Sequence, residues 1–152
     1  MGVPAADFVL PWRARYYEID QQGVVFNAWY LAWFDEAMSA FLADRGLGGD
    51  AMVAAGFDVQ LVRSEIDWRD GVRWGDSVEI VVRPGRIGTT SFDVHFCVRR
   101  DGRDTCTARI VYVSIASDGS GKTPVPSALR AVLTGETSET GSAAAVELSR
   151  RS

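Results

Sequence analysis

The run from Asn27 to Arg45, NAWYLAWFDEAMSAFLADR, limits the possible folds more than any other segment of the chain. Tyr30, Phe34, Ala37, Met38, Phe41 and Leu42 recur at helical spacing, while Trp29, Leu31 and Trp33 make the opposite side apolar as well. A helix apolar nearly all round cannot lie on a surface and has to be wrapped by other elements. The run ends at Gly46, a residue suited to the left-handed position just past a helix C-terminus.

Strands are available to do the wrapping. From Phe8 to Tyr17, Phe8, Leu10, Trp12, Ala14 and Tyr16 share one parity, and Pro11 marks an edge position or a late strand start. After a short apolar piece around Ala51 to Gly56, four strand-like runs follow: Val59 to Trp68, Ser77 to Arg83, Thr90 to Arg99 and Thr105 to Ile115. Phe92, Val94, Phe96 and Val98 alternate with Ser91, Asp93, His95 and Cys97, giving one core face and one polar face. Short connections make the strands antiparallel neighbours. Read as a type I′ turn, Asp101-Gly102 pairs Cys97 with Cys106 across the last hairpin, as two free thiols. Pro124 to Leu133 is a short closing helix. The expected fold is α+β, a curled antiparallel sheet around one long helix, in one domain over residues 1-134. The polar tail of residues 135-152 is expected to be disordered.

A net charge of −4 speaks against nucleic acid and anionic membranes, which select clustered positive charge. Fifteen of the sixteen basic residues are arginine, a bias that reads as genomic base composition. No apolar run approaches the ~20 residues of a membrane span, and the N-terminus lacks the pattern of a signal peptide, so a cytoplasmic protein is expected. Cys97 and Cys106 are too few for a disulfide scaffold and have no metal-ligand spacing with His95, the single histidine.

Two motifs fail as sources of chemistry. Gly121-Lys122-Thr123 looks like the end of a phosphate-binding loop, but Ala116 stands where a glycine is required and Pro124 follows at once. His95, in mid-strand, supports no nucleophile triad. The stretch EIDQQGVVFNA, Glu18 to Ala28, is more promising. Gly23 permits an irregular backbone, and a helix starting near Asn27 to Ala28 leaves unpaired N–H groups at the positive end of its dipole. An acid beside such donors offers a base or nucleophile on one side of a carbonyl and oxyanion donors on the other, which acyl transfer to water requires. The residues alone leave two plainer readings open: Asp20 as a surface acid, and Asn27 as the helix N-cap.

The string from Tyr16 to Ala37 resembles the signature of the 4-hydroxybenzoyl-CoA thioesterase family of hotdog-fold proteins: an Asp, two variable residues, Gly, two aliphatics, an aromatic, and a Tyr four residues beyond it. Those positions are Asp20, Gly23, Val24, Val25, Phe26 and Tyr30. WGDSVEI, with Gly75-Asp76 opening a strand, and GKTPVPSALR also match, so the resemblance runs from about Val9 to Leu133. It implies a hotdog fold and hydrolysis of an acyl-CoA or acyl-carrier-protein thioester without metal or cofactor. Asp20 would be base or nucleophile, with backbone N–H groups near Asn27 and Ala28 polarising the carbonyl. Family members usually carry His or Tyr where Asn27 stands. Gly23, Val25 and Phe26 would border the substrate, with Tyr30 packed under the site. The resemblance also implies edge-to-edge pairing into a dimer or tetramer, in which Gln60, Val62 and Ser64, sharing a face, line the acyl tunnel of a partner subunit. Gly88, Thr89 and Thr90 replace a basic cluster that meets CoA phosphates in some relatives, leaving Arg86 as the nearby cation. A non-catalytic acyl-CoA or acyl-carrier binding module is the alternative from another class.

Overall fold

The computed structural model describes residues 7–136. The apolar run forms α1 (Trp29–Asp44), which buries Tyr30, Trp33, Phe34, Ala37, Met38, Phe41 and Leu42. Trp33 therefore faces inward with the rest, and only Trp29 and Leu31 carry apolar surface toward the other side, half-buried. Asp35, Glu36, Ser39 and Asp44 stay exposed, so the helix is wrapped on most sides and open on one. Its end is a Schellman motif: Gly46, at φ +80°, donates to Ala43, and Leu47 donates to Leu42 at 2.8 Å.

Five strands make one antiparallel sheet in the order β1-β3-β4-β5-β2: β1 (Phe8–Arg13), β2 (Phe57–Trp68), β3 (Ser77–Ile87), β4 (Ser91–Arg100) and β5 (Arg103–Ala116). Short helices α2 (Gly49–Ala54) and α3 (Ser127–Thr134) complete the fold. Phe8 meets Phe41 at 5.8 Å between ring centroids, Trp12 meets Trp33 at 6.4 Å, and Phe34 meets Phe96 at 5.1 Å. The sheet thus reaches α1 from its edge strand and from its centre. Truncating a core aromatic such as Phe34 to alanine would cost ~3–5 kcal/mol. β1 stops at Arg13, and Tyr16, expected on its inner parity, instead lies exposed in the 3-10 turn Tyr16–Glu18. Pro11 is exposed in that edge strand, as its missing N–H requires.

Of the three register shifts in the sheet, one lies in β3 between Pro84 and Ile87 and the other two change what the sequence alternation implied. In the β4–β5 hairpin, Asp101 and Gly102 have φ +52° and +75°, as a type I′ turn demands. The register then slips between Val98 and Arg99, so Cys106 pairs with Val98 and Cys97 with Thr107. The thiols do not face each other, and both are free. The extra residue is Thr105, fully buried, whose hydroxyl donates to the Val98 carbonyl at 2.9 Å. The second bulge interrupts β2 between Leu61 and Arg63. On the outer face Asp93 is buried rather than solvated: Gly85 lies against its carboxylate, which accepts the Arg86 N–H at 2.6 Å and pairs with Arg109 at 2.8 Å. The expected disordered tail, apart from Gly135 and Glu136, lies outside the described residues.

Candidate active site

Between β1 and α1 the chain doubles back through a tight turn. The Asp20 N–H donates to the Val24 carbonyl at 2.9 Å, Gly23 returns an N–H to the Asp20 carbonyl at 3.0 Å, and Ile19 and Val25 form an isolated antiparallel bridge. Gly23 has φ +78°, where a β-carbon is strained. One carboxylate oxygen of Asp20, Oδ1, accepts the Gln22 N–H at 2.8 Å, while Oδ2 has no partner among the described residues. The side chain is half-buried.

Three contacts fix this turn to the body of the protein. Phe26 donates to the Glu18 carbonyl at 2.9 Å, closing the turn over its own stem. Val25 donates to the Val72 carbonyl at 2.8 Å, and the approach is close enough that a β-carbon on Gly71 would sit 2.6 Å from Val24. The third is the Glu18 side chain, 2% exposed, whose two oxygens accept the Arg15 N–H and the Trp33 indole N–H, each at 2.7 Å. A buried carboxylate with both oxygens engaged is a rigid tether. The segment around Gly71 is held in turn by Arg100, which donates to the Gly71 carbonyl and pairs with Asp70 at 2.8 Å and Asp76 at 3.3 Å. Neither Glu18 nor Arg100 stood out in the sequence. The i to i+15 spacing of Glu18 and Trp33 follows no helical or strand period, so only the fold reveals it.

The start of α1 differs from expectation at its cap. The N-cap is Ala28, without a side-chain cap, and Asn27 lies one residue outside with its side chain exposed and uncapping. The backbone part of the expectation is unaffected. Trp29 donates to Phe26 and Leu31 to Ala28, but the N–H groups of Asn27 and Ala28 have no partner among the described residues. They sit at the positive end of a sixteen-residue helix.

The other candidates separate into groups. Gly23 and Phe26 are accessible beside Asp20, Phe26 being 49% exposed. Val25 and Tyr30 are each 2% exposed, which makes them the floor beneath the turn rather than its surface. Burial pushes the Tyr30 hydroxyl up to about 12. Gln60, Val62 and Ser64 do not share a face: Val62 is the bulge residue, so Gln60 lies opposite Val113 on the outer side and Ser64 opposite Ile110 on the helix side. Arg86 is at the end of β3 remote from Ser77, which pairs with the Arg13 end of β1 from which the Asp20 turn springs. Roughly 30 Å of strand separates those ends, which puts Arg86 at the far end of β3 from the one beside which the Asp20 turn begins. Burial also raises the thiols, Cys97 to about 11 and Cys106 to about 12, which leaves them poor nucleophiles near neutral pH.

The family model of the thioesterase-like superfamily matches this chain from residue 14 to residue 133, a span that includes the Asp20 turn, α1 and all of the sheet beyond β1. The chain belongs to that superfamily. It is accordingly an enzyme of the thioester hydrolase class, with the hotdog fold. It is 26% identical over 127 residues to a 1,4-dihydroxy-2-naphthoyl-CoA hydrolase of Synechococcus elongatus, an alignment covering 82% of this chain and 93% of that one. Among solved structures, a 1,4-dihydroxy-2-naphthoyl-CoA thioesterase from Synechocystis superposes with a TM-score of 0.76 at 19% identity, covering 84% and 96% of the two chains. A Staphylococcus aureus protein in complex with CoA gives 0.80 at 11% identity, covering 90% and 87%. At these identities the two structures speak for the fold. The narrower kinship with 4-hydroxybenzoyl-CoA thioesterases stays a resemblance of motif.

Proposed function

We propose that the protein hydrolyses an acyl-CoA thioester to a free acid and CoA at the Asp20 turn. The Asn27 and Ala28 N–H groups hold the carbonyl oxygen as it becomes an oxyanion. Asp20 acts through its unpaired Oδ2, either taking a proton from the attacking water or attacking the carbonyl carbon itself. The C–S bond then breaks and the thiolate leaves, to be protonated as CoA; on the nucleophilic route water then hydrolyses the acyl–Asp20 anhydride, releasing the acid and restoring the carboxylate. The observation that carries the reading is the coincidence, within eight residues of one braced loop, of that free carboxylate oxygen and those two unpaired donors. CoA relatives favour CoA over a carrier protein as the thiol.

We further propose that the site is completed by a second copy of the chain. Exposed apolar side chains crowd the turn: Tyr16, Tyr17, Phe26, Trp68 and Trp74, with Val62 on the open edge of β2. Tyr16 packs edge-on against Trp74 with ring centroids 6.0 Å apart, so the patch is continuous from the turn to the 68–74 segment. Such a surface marks an interface. Light scattering at micromolar concentration should return a dimer or tetramer, and an active monomer would end the shared-site proposal.

The test of the reaction is a panel of short, long and aromatic acyl-CoA substrates followed with a thiol-reactive dye. Asp20→Asn should lower kcat at least ~100-fold with little change in substrate affinity. A wild-type protein that binds these thioesters but hydrolyses none would make it a binding module instead.

A further inference from the structure

The side of α1 that the sheet leaves open borders a pocket of about 520 Å³ between α1, α2 and β2. Met38, Leu42, Met52 and Leu61 make its walls apolar, and Asp35 and Ser39 add polar groups. Its volume is that of a small-molecule site. Asp20 is not in its wall, and nothing in the reaction described above uses it.

Tyr112 of β5 also lines this pocket. The residue is 3% exposed, its ring stacks on Phe92 with centroids 5.4 Å apart, and its hydroxyl has no hydrogen-bond partner among the described residues. Ser114, two residues on and on the same face of the strand, has a buried hydroxyl in the same condition. Phenylalanine would stack on Phe92 equally well without leaving a polar atom unpaired in the core. Burial, reinforced by the charge of Asp35, holds the Tyr112 hydroxyl protonated far above neutral pH, so it is available as a donor.

Asp35 lies seven residues beyond Ala28, ~10 Å along the axis of α1 from that residue's unpaired N–H group. An acyl chain of about eight carbons spans that distance.

We propose that the pocket receives the far end of the acyl group and that Tyr112 hydrogen-bonds an oxygen carried there. The preferred substrates are then medium-length acyl thioesters bearing a hydroxyl or carbonyl distal to the thioester. This assignment rests on the hydrolase reading and adds a specificity-determining residue to it.

The experiment compares 8-hydroxyoctanoyl-CoA with octanoyl-CoA on the wild type and on Tyr112→Phe, which deletes only the hydroxyl. The wild type should favour the hydroxylated thioester by ~10-fold in kcat/KM, since a polar group built to meet a substrate hydroxyl rejects the analogue lacking it. Tyr112→Phe should abolish the preference while leaving octanoyl-CoA turnover within about 2-fold. Hydrolysis of octanoyl-CoA without a preference, or a preference that survives in Tyr112→Phe, overturns the pocket assignment and leaves the hydrolase reading standing. Turnover of neither thioester leaves the hydrolase reading to the wider acyl-CoA panel, and calorimetry with the free acids decides the pocket. Tighter binding of 8-hydroxyoctanoate than of octanoate by the wild type alone supports it, and equal binding sinks it.

Discussion

Two tight turns in this chain are built from the same kinds of residue and end in opposite conditions. The Asp101-Gly102 turn closes β4 onto β5 with the side chains that flank it paired: Arg99 pairs with Asp104 at 3.0 Å, and the extra residue of its bulge spends its hydroxyl on the Val98 carbonyl. The Asp20-Gly23 turn also closes on itself, yet it leaves Asp20 Oδ2 and the N–H groups of Asn27 and Ala28 without partners among the described residues. The first turn is finished architecture. The second is held just as firmly, by Glu18 and the Val72 carbonyl, but holds groups that have still to find a partner. On the proposed reading, the conjunction of a free carboxylate oxygen with helix-start N–H groups, rather than the presence of an acid and a glycine, separates the Asp20 turn from a plain connection.

Substitutions matched across the two turns test this contrast. The largest difference is expected between the acids. Asp20→Asn should cost at least ~100-fold in kcat, whereas Asp104→Asn should leave kcat within about 2-fold, because its ion pair is a solvated surface one. Equal losses would erase the distinction. Next come the tethers. Glu18→Ala strands the Trp33 indole N–H in the core, takes the acceptor from the Arg15 N–H, and should destabilise the fold by ~3 kcal/mol in urea unfolding, with Glu18→Gln recovering part of it. Thr105→Val, which removes the hairpin's hydroxyl, should cost only ~1 kcal/mol. The glycines give the smallest and sharpest comparison. Gly23→Ala and Gly102→Ala each put a β-carbon at positive φ in uncrowded space and should each cost ~1 kcal/mol. Only Gly23→Ala should also lower kcat, by ~10-fold, since it moves Asp20. Matching rate losses from the two would show that the Asp20 turn has no special positioning role.

What could be read beforehand follows the range of the interactions involved. The inner face of α1, its end at Gly46 and the Asp101-Gly102 turn are written in spacing and local chemistry, and the fold class follows from a helix that needs wrapping. The loop with Asp20 was legible because a short, specific motif carries it. The two bulges were not, because one inserted residue at Thr105 or Val62 leaves the alternation looking intact while exchanging the faces beyond it. Hence the pairing expected for Cys97 and Cys106 and the common face expected for Gln60, Val62 and Ser64 both failed. Glu18 was invisible for a related reason: whether a carboxylate is the one that reaches water or the one that disappears into the core depends on Trp33, fifteen residues away. The unused hydroxyl of Tyr112 is likewise a property of the packed core and has no sequence signature.

The bulge at Val62 has a bearing on solubility as well. A sheet that ends in two open strands could recruit further sheets without limit, as an endless ribbon. Here Pro11 removes a hydrogen-bond donor from β1, and the bulge breaks the regular ladder of β2 near its middle and bends it away from flatness. An arbitrary extended segment therefore meets a mismatch on either edge. The irregularity that scrambled the sequence pattern is also what keeps this edge from serving as a template for any extended chain that meets it.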